Sequence, residues 1–330
     1  MVEKLGLALG AVVVGVVGAV ALFWLLNKAC ELLPRKWENR LKPYALILPA
    51  FAVIGIFLLY PAVETVMSSF RKGSYGRLGR WVGFDNYRHL FTDPDFINTL
   101  INNVLWIIVA PALIVAMGLG VAVLVDKLNA RGEKIAKSVI FLPMAISMVG
   151  ASTIWNLVFA WKPEGQSQIG LLNQLVVWFG GAPQTWLQID TFRFNTFLLM
   201  MVYVWTQVGY SMVLLSSALK GVPEDTIEAG RIDGATEGKI FFRIILPQAW
   251  PTVITVFITV LIGVMKVFDI VYAMTNGNYT TNVLGNAFYG ALFKAGDPGT
   301  ASAIVVILIV AIIPVLIYQV RQFRIQEANS

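Results

Sequence analysis

Long apolar runs dominate this chain, and short polar segments separate them. About 20 consecutive apolar residues in an α-helix cross the hydrocarbon core of a bilayer, because each residue adds about 1.5 Å. Seven runs reach that length, so the pattern predicts seven transmembrane helices, called spans one to seven. In order, they cover Leu5 to Leu26, Tyr44 to Val63, Leu100 to Val125, Ser138 to Ala160, Thr196 to Leu219, Gln248 to Met274 and Ala301 to Val320.

Composition agrees with a membrane location. Hydrophobic residues make up 57% of the 330 positions and charged residues only 13%, whereas soluble proteins average about 25% charged residues. So few charges cannot cover a water-soluble globule of this size. We therefore predict an all-α fold, a polytopic helical bundle in a membrane. Residues 1–43 are expected to form an extra N-terminal transmembrane helix with a cytoplasmic linker, and residues 44–330 the main transmembrane domain.

Basic residues concentrate in alternate loops. The net charge of +6 comes from 25 Lys and Arg residues that lie in short clusters between apolar runs. Segments 27–43, 126–137, 220–247 and the C-terminal tail hold 15 of them, and the opposite set of segments holds 9. Positively charged loops stay in the cytoplasm, so we expect the N-terminus outside and the C-terminus inside. Membrane topology thus explains the positive charge, and we expect no nucleic-acid partner.

Reactive side chains are scarce. Cys30 is the single cysteine and His89 the single histidine of the chain. No disulfide framework, Cys/His metal site or thiol nucleophile can be built from them, and no nucleophile and base lie at a common depth. We therefore expect no catalytic residue, no metal site and no cofactor in this chain.

The segment between spans five and six, residues 220–247, carries the most distinctive pattern. It reads KGVPEDTIEAGRIDGATEGKIFFRIILP. Pro223 and Glu224 suit the start of a helix, and Gly234 suits its end. A second amphipathic run follows and halts at Pro247. The pattern predicts two short helices whose apolar face rests on a partner protein or on lipid headgroups.

The same segment resembles the signature loop of binding-protein-dependent ABC importer permeases, which has the form E-A-A, three residues, G, about nine residues, I-x-L-P. The matching residues are Glu228, Ala229, Asp233, Gly234, Ala235, Ile244, Leu246 and Pro247. Gly230 stands where the family usually has a third alanine, and this exchange of small residues is expected to preserve close packing. The resemblance implies a type I ABC importer permease fold and an ATPase-coupling surface that also includes Glu224 and Arg231.

The resemblance also implies an assembly in the bacterial inner membrane. Two ATPase subunits would hold ATP and Mg, a second homologous permease subunit would complete the pathway, and an extracytoplasmic sugar-binding protein would deliver the solute. This chain lacks the phosphate-binding pattern G-x-x-x-x-G-K-[ST], since the segment from Gly234 to Ile240 has one residue too few between its glycines. We therefore expect a transport subunit and not an enzyme.

A sugar is the solute that the resemblance favours, because residues 44–320 are most similar to the maltose-type and alpha-glucoside-type permeases. Tyr210 lies eighteen residues before the signature glutamate, where maltose-type permeases carry a tyrosine that lines the sugar site. Gln207 and Thr206 lie about one helical turn away and can add hydrogen bonds. Phe268 opens the sequence FDIVYAMTNGN, which is similar to the family's F-D-x-x-Y-x-x-T-x-G-G region. We expect an alpha-glucoside or a related small oligosaccharide.

Span six contains two ionisable residues, Lys266 and Asp269. Each would cost about 2.5 to 3.5 kcal/mol at the centre of a lipid-exposed helix. At a spacing of i and i+3 they can share a face, so we expect them to line the substrate pathway or a contact between subunits. The alternative is that both lie near the outer interface and reach water there.

Other transport functions stay open at this point. An importer of the same type for a polyol, phosphate or an amino acid would carry the same loop. An ion-coupled secondary carrier could use Lys266 and Asp269 as coupling residues, but such carriers often contain inverted repeats, and the sequence shows no such symmetry.

Overall fold

The computed structural model describes residues 2–73 and 79–329, which are almost entirely helical. Within these residues, six helices are long and apolar enough to cross a membrane, and one bent pair of helices brings the number to seven. This confirms the predicted all-α class. The chain divides into two compact units, Met1–Met67 and Ser68–Ser330.

The first unit is made of α-helices and one π turn. They are α1 (Val2–Glu31), α2 (Arg35–Ile54), a π turn (Gly55–Leu59) and α3 (Tyr60–Ser68). The predicted linker 27–43 is helical except at residues 32–34. Pro34 caps the start of α2 with a φ of −54°, which suits the boundary because proline fixes φ near −65°.

The second unit holds a short antiparallel hairpin and the remaining helices. In chain order, they are β1 (Arg71–Lys72), β2 (Arg80–Trp81), α4 (Asp85–Thr92), α5 (Pro94–Val125), α6 (Ala130–Phe141), α7 (Met148–Val158), α8 (Leu171–Trp178), α9 (Phe194–Lys220), α10 (Glu224–Ile232), α11 (Glu237–Ile240), α12 (Leu246–Met265), α13 (Asp269–Met274), α14 (Leu284–Tyr289) and α15 (Pro298–Asn329). Arg71 pairs with Trp81, and Lys72 with Arg80.

Helices α5 and α9 form the centre of this unit, and small residues let them approach. A Cβ at Gly118 of α5 would overlap the side chain of Ser211 of α9, and a Cβ at Gly209 would overlap the backbone at Ile140 of α6. Small residues at helix crossings allow close backbone contact, as is common in membrane bundles. The fully buried core residues around this crossing include Trp106, Ile114, Leu199, Met212, Leu215 and Val264.

Two polar networks define the ends of the unit. Lys220, at the end of α9, contacts Asp126 just after α5, so both helices finish at one end, here called the loop end. Arg193, just before α9, donates hydrogen bonds to Asn98 and Asn102 near the start of α5, and this side is here called the far end. Helices α5 and α9 are therefore parallel, and α12 runs from the loop end to the far end.

Span four differs from the straight helix that its apolar run predicts. A 3-10 turn at Leu142–Ala145 interrupts it, and the helices on the two sides are bent by 99°. Pro143 is the second residue of that turn, and the Ser147 side chain then caps α7 by accepting a hydrogen bond from the Gly150 N–H. Helix α7 has 11 residues and measures about 16 Å, too short to cross a bilayer alone. Apolarity predicted a span in this run but not its break.

Span six is shorter than predicted. Helix α12 ends at Met265, and Lys266 and Phe268 leave the helical conformation with ψ values of 18° and −60° at φ of −104° and −146°. A separate short helix, α13, begins at Asp269. The two ionisable residues therefore lie just past the end of a membrane helix and not within it.

Candidate coupling site and substrate pathway

The first helix of segment 220–247 forms as predicted, and glycine ends it. Gly234 has a φ of +75°, the left-handed conformation that glycine adopts without steric cost. The N–H of Gly234 donates to the carbonyl of Arg231, and the N–H of Ala235 donates to the carbonyl of Gly230, both at 3.0 Å. These two bonds make a Schellman cap, which satisfies carbonyls that the helix end leaves free.

The second short helix does not stop at Pro247, and the sequence prediction is wrong on this point. Helix α11 continues through a π turn at Phe241–Ile245 into α12, so one helical element runs from Glu237 to Met265. Pro247 lies in the first turn of α12, where a missing N–H is tolerated. The wider π turn changes the hydrogen-bond ladder just before the proline. The second half of the loop and span six thus form one continuous rod.

The two helices of the segment pack closely at one point. Gly230 is buried, and a Cβ there would lie 2.7 Å from Cδ1 of Ile244. Ile240 is fully buried beside it. On the outside, the guanidinium of Arg231 donates to the Glu237 carboxylate at 3.0 Å, and this hydrogen bond raises the pKa of Arg231. Small size at position 230 is therefore a packing requirement.

The remaining surface of segment 220–247 is exposed and mixes charge with uncovered apolar side chains. Ile232 is 86% exposed and Phe242 is 67% exposed. Around them, the exposed residues of the predicted coupling surface are Glu224, Glu228, Ala229, Arg231, Asp233, Gly234 and Pro247, while Ala235 is half-buried. Two large apolar side chains among charges are typical of a protein contact site.

An ionic cluster supports the point where this segment leaves α9. The ammonium of Lys137 lies 2.6 Å from the Glu133 carboxylate and 3.3 Å from that of Asp126. Lys220 contacts both carboxylates, and Ser216 donates to Asp126 at 2.7 Å. The cluster joins α5, α6 and α9. It borders a cavity of about 780 Å³ with a mixed polar and apolar lining, whose other wall includes Glu224, Ile227, Arg231 and Phe241.

Tyr210, Gln207 and Thr206 lie on α9, as the sequence predicts. Tyr210 and Gln207 are half-buried, and Thr206 is buried. The Thr206 hydroxyl donates to the backbone carbonyl of Tyr203 at 2.7 Å, so it already has a partner within its own helix. Tyr210 packs against the hydrophobic core around α5 and α9. These three residues therefore lie on the same helix but are buried to different extents.

Lys266, Phe268 and Asp269 lie at the far end, away from Tyr210 along the bundle. Lys266 and Asp269 are exposed, and Phe268 is half-buried. Within residues 2–73 and 79–329, neither charged group forms an ion pair with the other or with a third residue. The structure thus separates the predicted pathway residues into a pair of groups, one on α9 and one after α12.

A polar clasp holds the loop that follows α13. The Nδ2 of Asn102 donates to the carbonyls of Thr280 and Asn282 at 2.6 and 2.8 Å, and Nδ2 of Asn195 donates to the carbonyl of Tyr279 at 2.7 Å. Tyr279 and Thr280 have φ values of +54° and +59°, which costs free energy for residues other than glycine. The buried amides offset that cost by satisfying the loop carbonyls.

Metal chemistry finds no site in the described part of the chain, where no three His, Cys, Asp or Glu side chains cluster to hold an ion. Two further cavities, of about 580 and 640 Å³, are lined almost wholly by apolar side chains. Neither contains a predicted pathway residue. Walls of this kind suit lipid or another helix better than a hydroxyl-rich solute.

Comparison with known proteins decides the family. A family model described as the inner membrane component of binding-protein-dependent transport systems matches residues 114–326. The chain belongs to this family. It is therefore a permease of the inner membrane that crosses the bilayer several times, and a transport subunit rather than an enzyme.

Curated relatives cover nearly the whole permease. The alpha-glucoside transport system permease protein AglF of Rhizobium meliloti is 40% identical over 97% of both chains. The osmoprotective compounds uptake permease protein GgtC of Synechocystis is 45% identical over 85% of this permease and 98% of its own length. The trehalose/maltose transport system permease protein MalF of Thermococcus litoralis is 26% identical over 88% of this permease and 96% of its own length.

A solved structure shares the fold. A bacterial ABC transporter involved in the import of the acidic polysaccharide alginate contains a chain that matches with a TM-score of 0.74 at 22% identity. The match covers 88% of the permease and 99% of that chain. It confirms the predicted type I importer permease fold.

Sequence reasoning missed several residues of the permease that the geometry brings into view. Ile232 and Phe242 carry the exposed apolar surface of segment 220–247, yet only their large apolar side chains inside a charged segment signalled it. The partners of the ionic cluster lie up to 94 positions apart, at Asp126 and Lys220. No spacing rule along the chain connects such residues, so only the fold could bring them together.

Proposed function

We propose that this permease imports a sugar or small oligosaccharide, with an alpha-glucoside as the first candidate, using ATP hydrolysed by separate subunits. The single observation that supports the machinery is the continuous rod from Glu237 to Met265, whose base carries the exposed Phe242 and packs against α10, the helix that carries the exposed Ile232. An ATPase subunit that grips this base can move span six without bending it. The names of AglF and MalF support the sugar.

The proposed assembly contains a second permease subunit, two ATPase subunits that hold ATP and Mg, and an extracytoplasmic sugar-binding protein. The loop end faces the cytoplasm, so the N-terminus lies outside and the C-terminus inside. The excess of basic residues in segments 27–43, 126–137 and 220–247 supports this orientation. Closure of the ATPase pair then switches the permease between two rigid-body arrangements.

Uptake by proteoliposomes that contain the complete complex tests the solute. We expect labelled alpha-glucoside to accumulate only with ATP and the loaded binding protein. Unlabelled amino acid, phosphate and polyol serve as competitors, and an osmoprotective solute is included because of GgtC. Accumulation of another solute with no glucoside uptake would refute the sugar. Uptake that needs a proton gradient and no ATPase would indicate a secondary carrier.

The first prediction concerns the ATPase contact. Glu228→Lys reverses the charge on the exposed coupling surface, so we expect ATPase activity to lose its dependence on loaded binding protein and uptake to fall at least tenfold. Membrane insertion should be unchanged, because Glu228 is exposed. Glu164→Lys is the matched control, since Glu164 is also exposed and lies outside segment 220–247. Normal coupling in Glu228→Lys would remove the proposed role of this surface.

The second prediction concerns the pathway. Tyr210 offers an aromatic face for a sugar ring and a hydroxyl for hydrogen bonding, with Gln207 one turn away. We expect Tyr210→Ala to lower sugar uptake about tenfold while the partner subunits still copurify, and Tyr210→Phe to have a smaller effect. Wild-type uptake by Tyr210→Ala would show that the sugar passes elsewhere.

A further inference from the structure

Four aromatic rings form a continuous cluster at the far end, just beyond α12. Tyr289 lies at the centre of this cluster, with its ring centroid 5.5 Å from Phe268, 5.0 Å from Tyr272 and 4.9 Å from Phe293. Phe268 and Tyr272 also stack on each other at 5.2 Å and an interplanar angle of 27°. These four rings are called the aromatic shelf.

Packing within the chain does not account for the shelf. Phe293 is 58% exposed and Tyr272 is 38% exposed, although both offer large apolar faces. Within the described residues, none of the four rings belongs to either hydrophobic core of the second unit. Phe293 lies in a π turn, Gly290–Lys294, and single π turns inside helices frequently mark functional sites.

Charged groups lie over one ring of the shelf and next to the shelf along the chain. Lys294 lies 5.7 Å above the ring of Tyr272 and donates to Oδ1 of Asn276 at 2.9 Å. Asp269 begins α13, the helix that carries Tyr272, and Lys266 directly follows the last residue of α12, two residues before Phe268. Both charges are exposed and have no ion-pair partner among the residues that the structure describes.

Flat apolar rings with free hydrogen-bonding groups at their edge suit one class of ligand. A sugar ring has an apolar face of C–H groups that packs on an aromatic face, and hydroxyls around its rim. Charged donors and acceptors form the stronger hydrogen bonds to such hydroxyls. Lipid tails or a neighbouring apolar helix would gain nothing from Lys266 and Asp269, and would leave both charges desolvated.

We propose that the aromatic shelf is an entry subsite, on which Tyr272 and Phe293 stack a sugar ring while Lys266 and Asp269 bind its hydroxyls. The inference rests on the proposed function and adds to it a location where the sugar first binds. The shelf lies at the opposite end of α12 from segment 220–247, about 30 Å away along 20 helical residues. It therefore meets the sugar before Tyr210 does.

Uptake by the complete complex in proteoliposomes tests this subsite. With ATP, saturating loaded binding protein and labelled alpha-glucoside, we expect the initial uptake rate to fall about tenfold in Tyr272→Ala and in Phe293→Ala. Tyr272→Phe keeps the ring and should stay within twofold of wild type. Tyr272→Leu keeps the apolar surface but loses the flat face, and it should behave like Tyr272→Ala.

The matched control is an exposed aromatic pair outside the shelf, Trp178 and Phe179, whose rings stack at 6.0 Å with 79% and 86% exposure. Trp178→Ala and Phe179→Ala should import normally. Amounts of copurified sister permease and ATPase subunits are measured for every variant.

Three results would overturn the subsite. They are uptake within twofold of wild type in both alanine variants, full uptake in Tyr272→Leu, or loss of the sister subunit from the alanine variants, which would make the shelf a subunit contact. If the wild-type complex imports no sugar at all, the proposed function fails and the subsite fails with it. Normal wild-type uptake with unaffected alanine variants removes the subsite alone.

Discussion

At the scale of single residues, Gly234 is required for its conformation and not for its size. A Cβ at this position would meet no atom within 4 Å, but its φ is +75°. We therefore expect Gly234→Val to destabilise the cap of α10 by about 1 to 2 kcal/mol, because other residues pay that cost in the left-handed region. ATPase activity of the complex with and without loaded binding protein measures the resulting loss of coupling.

Gly234→Asn is the matched variant, because asparagine tolerates the left-handed conformation better than other residues. It should retain most of the coupling. Equal loss in the Asn and Val variants would show that side-chain size or contact with the ATPase matters at position 234, and would contradict the conformational argument.

Gly230, four residues earlier, shows how far a residue could be understood from the sequence. The signature pattern predicted a small residue there, and the structure buries it against Ile240 and Ile244. The sequence could not reveal that the neighbouring Ile232 points outward. Whether a single apolar residue of a helix is buried depends on its neighbours in space, which the sequence does not give. Residue type thus predicted the close packing at Gly230 but not the exposure of Ile232.

At the scale of elements, the continuity of α11, the π turn and α12 makes span six a lever. Ile244→Pro should break it, since an internal proline removes a backbone hydrogen bond and costs about 3 kcal/mol or more. Thr259→Ala should leave it intact, because Thr259 is exposed on α12 outside segment 220–247 and the substitution removes no backbone hydrogen bond. The number of ATP molecules hydrolysed per sugar imported should rise steeply in Ile244→Pro only. An unchanged ratio in Ile244→Pro would mean that motion does not travel along this rod.

The lengths of the apolar runs predicted the long helices but not the positions at which helices break. Spans three, five and seven lie within the long helices α5, α9 and α15, because 20 or more apolar residues have no stable alternative in a bilayer. Span four bends at Pro143, and span six ends at Met265. The run of span four continues to be apolar past its break, so hydropathy carries no information about that break. In span six, Lys266 and Asp269 are the signs of the break.

At the scale of the whole molecule, the ionic cluster of Asp126, Glu133, Lys137 and Lys220 ties three helices together at the loop end. Asp126→Asn keeps an acceptor for Ser216 but removes a charge that faces two ammonium groups. We expect a loss of about 1 kcal/mol, since partly exposed ion pairs contribute little individually. A lower melting temperature of the purified permease, together with weaker coupling, would be the readout.

Asp190→Asn removes one charge at the far end, where Asp190 is exposed and forms no ion pair with the described residues. Asp190→Asn should change neither the melting temperature nor the coupling. If both variants melt alike and couple normally, the cluster has no mechanical role. If Asp126→Asn melts normally yet loses coupling, the cluster orients segment 220–247 without stabilising the bundle.

The polar clasp around residues 279–282 has a consequence for how such permeases diverge. The hydrogen bonds that Asn102 and Asn195 donate to this loop go to backbone carbonyl oxygens and not to side chains. Evolution can therefore replace Tyr279 or Thr280, within the limits of a left-handed backbone, while the loop keeps its shape. The surface of this loop can thus diverge between permeases without a change in the helices beneath it.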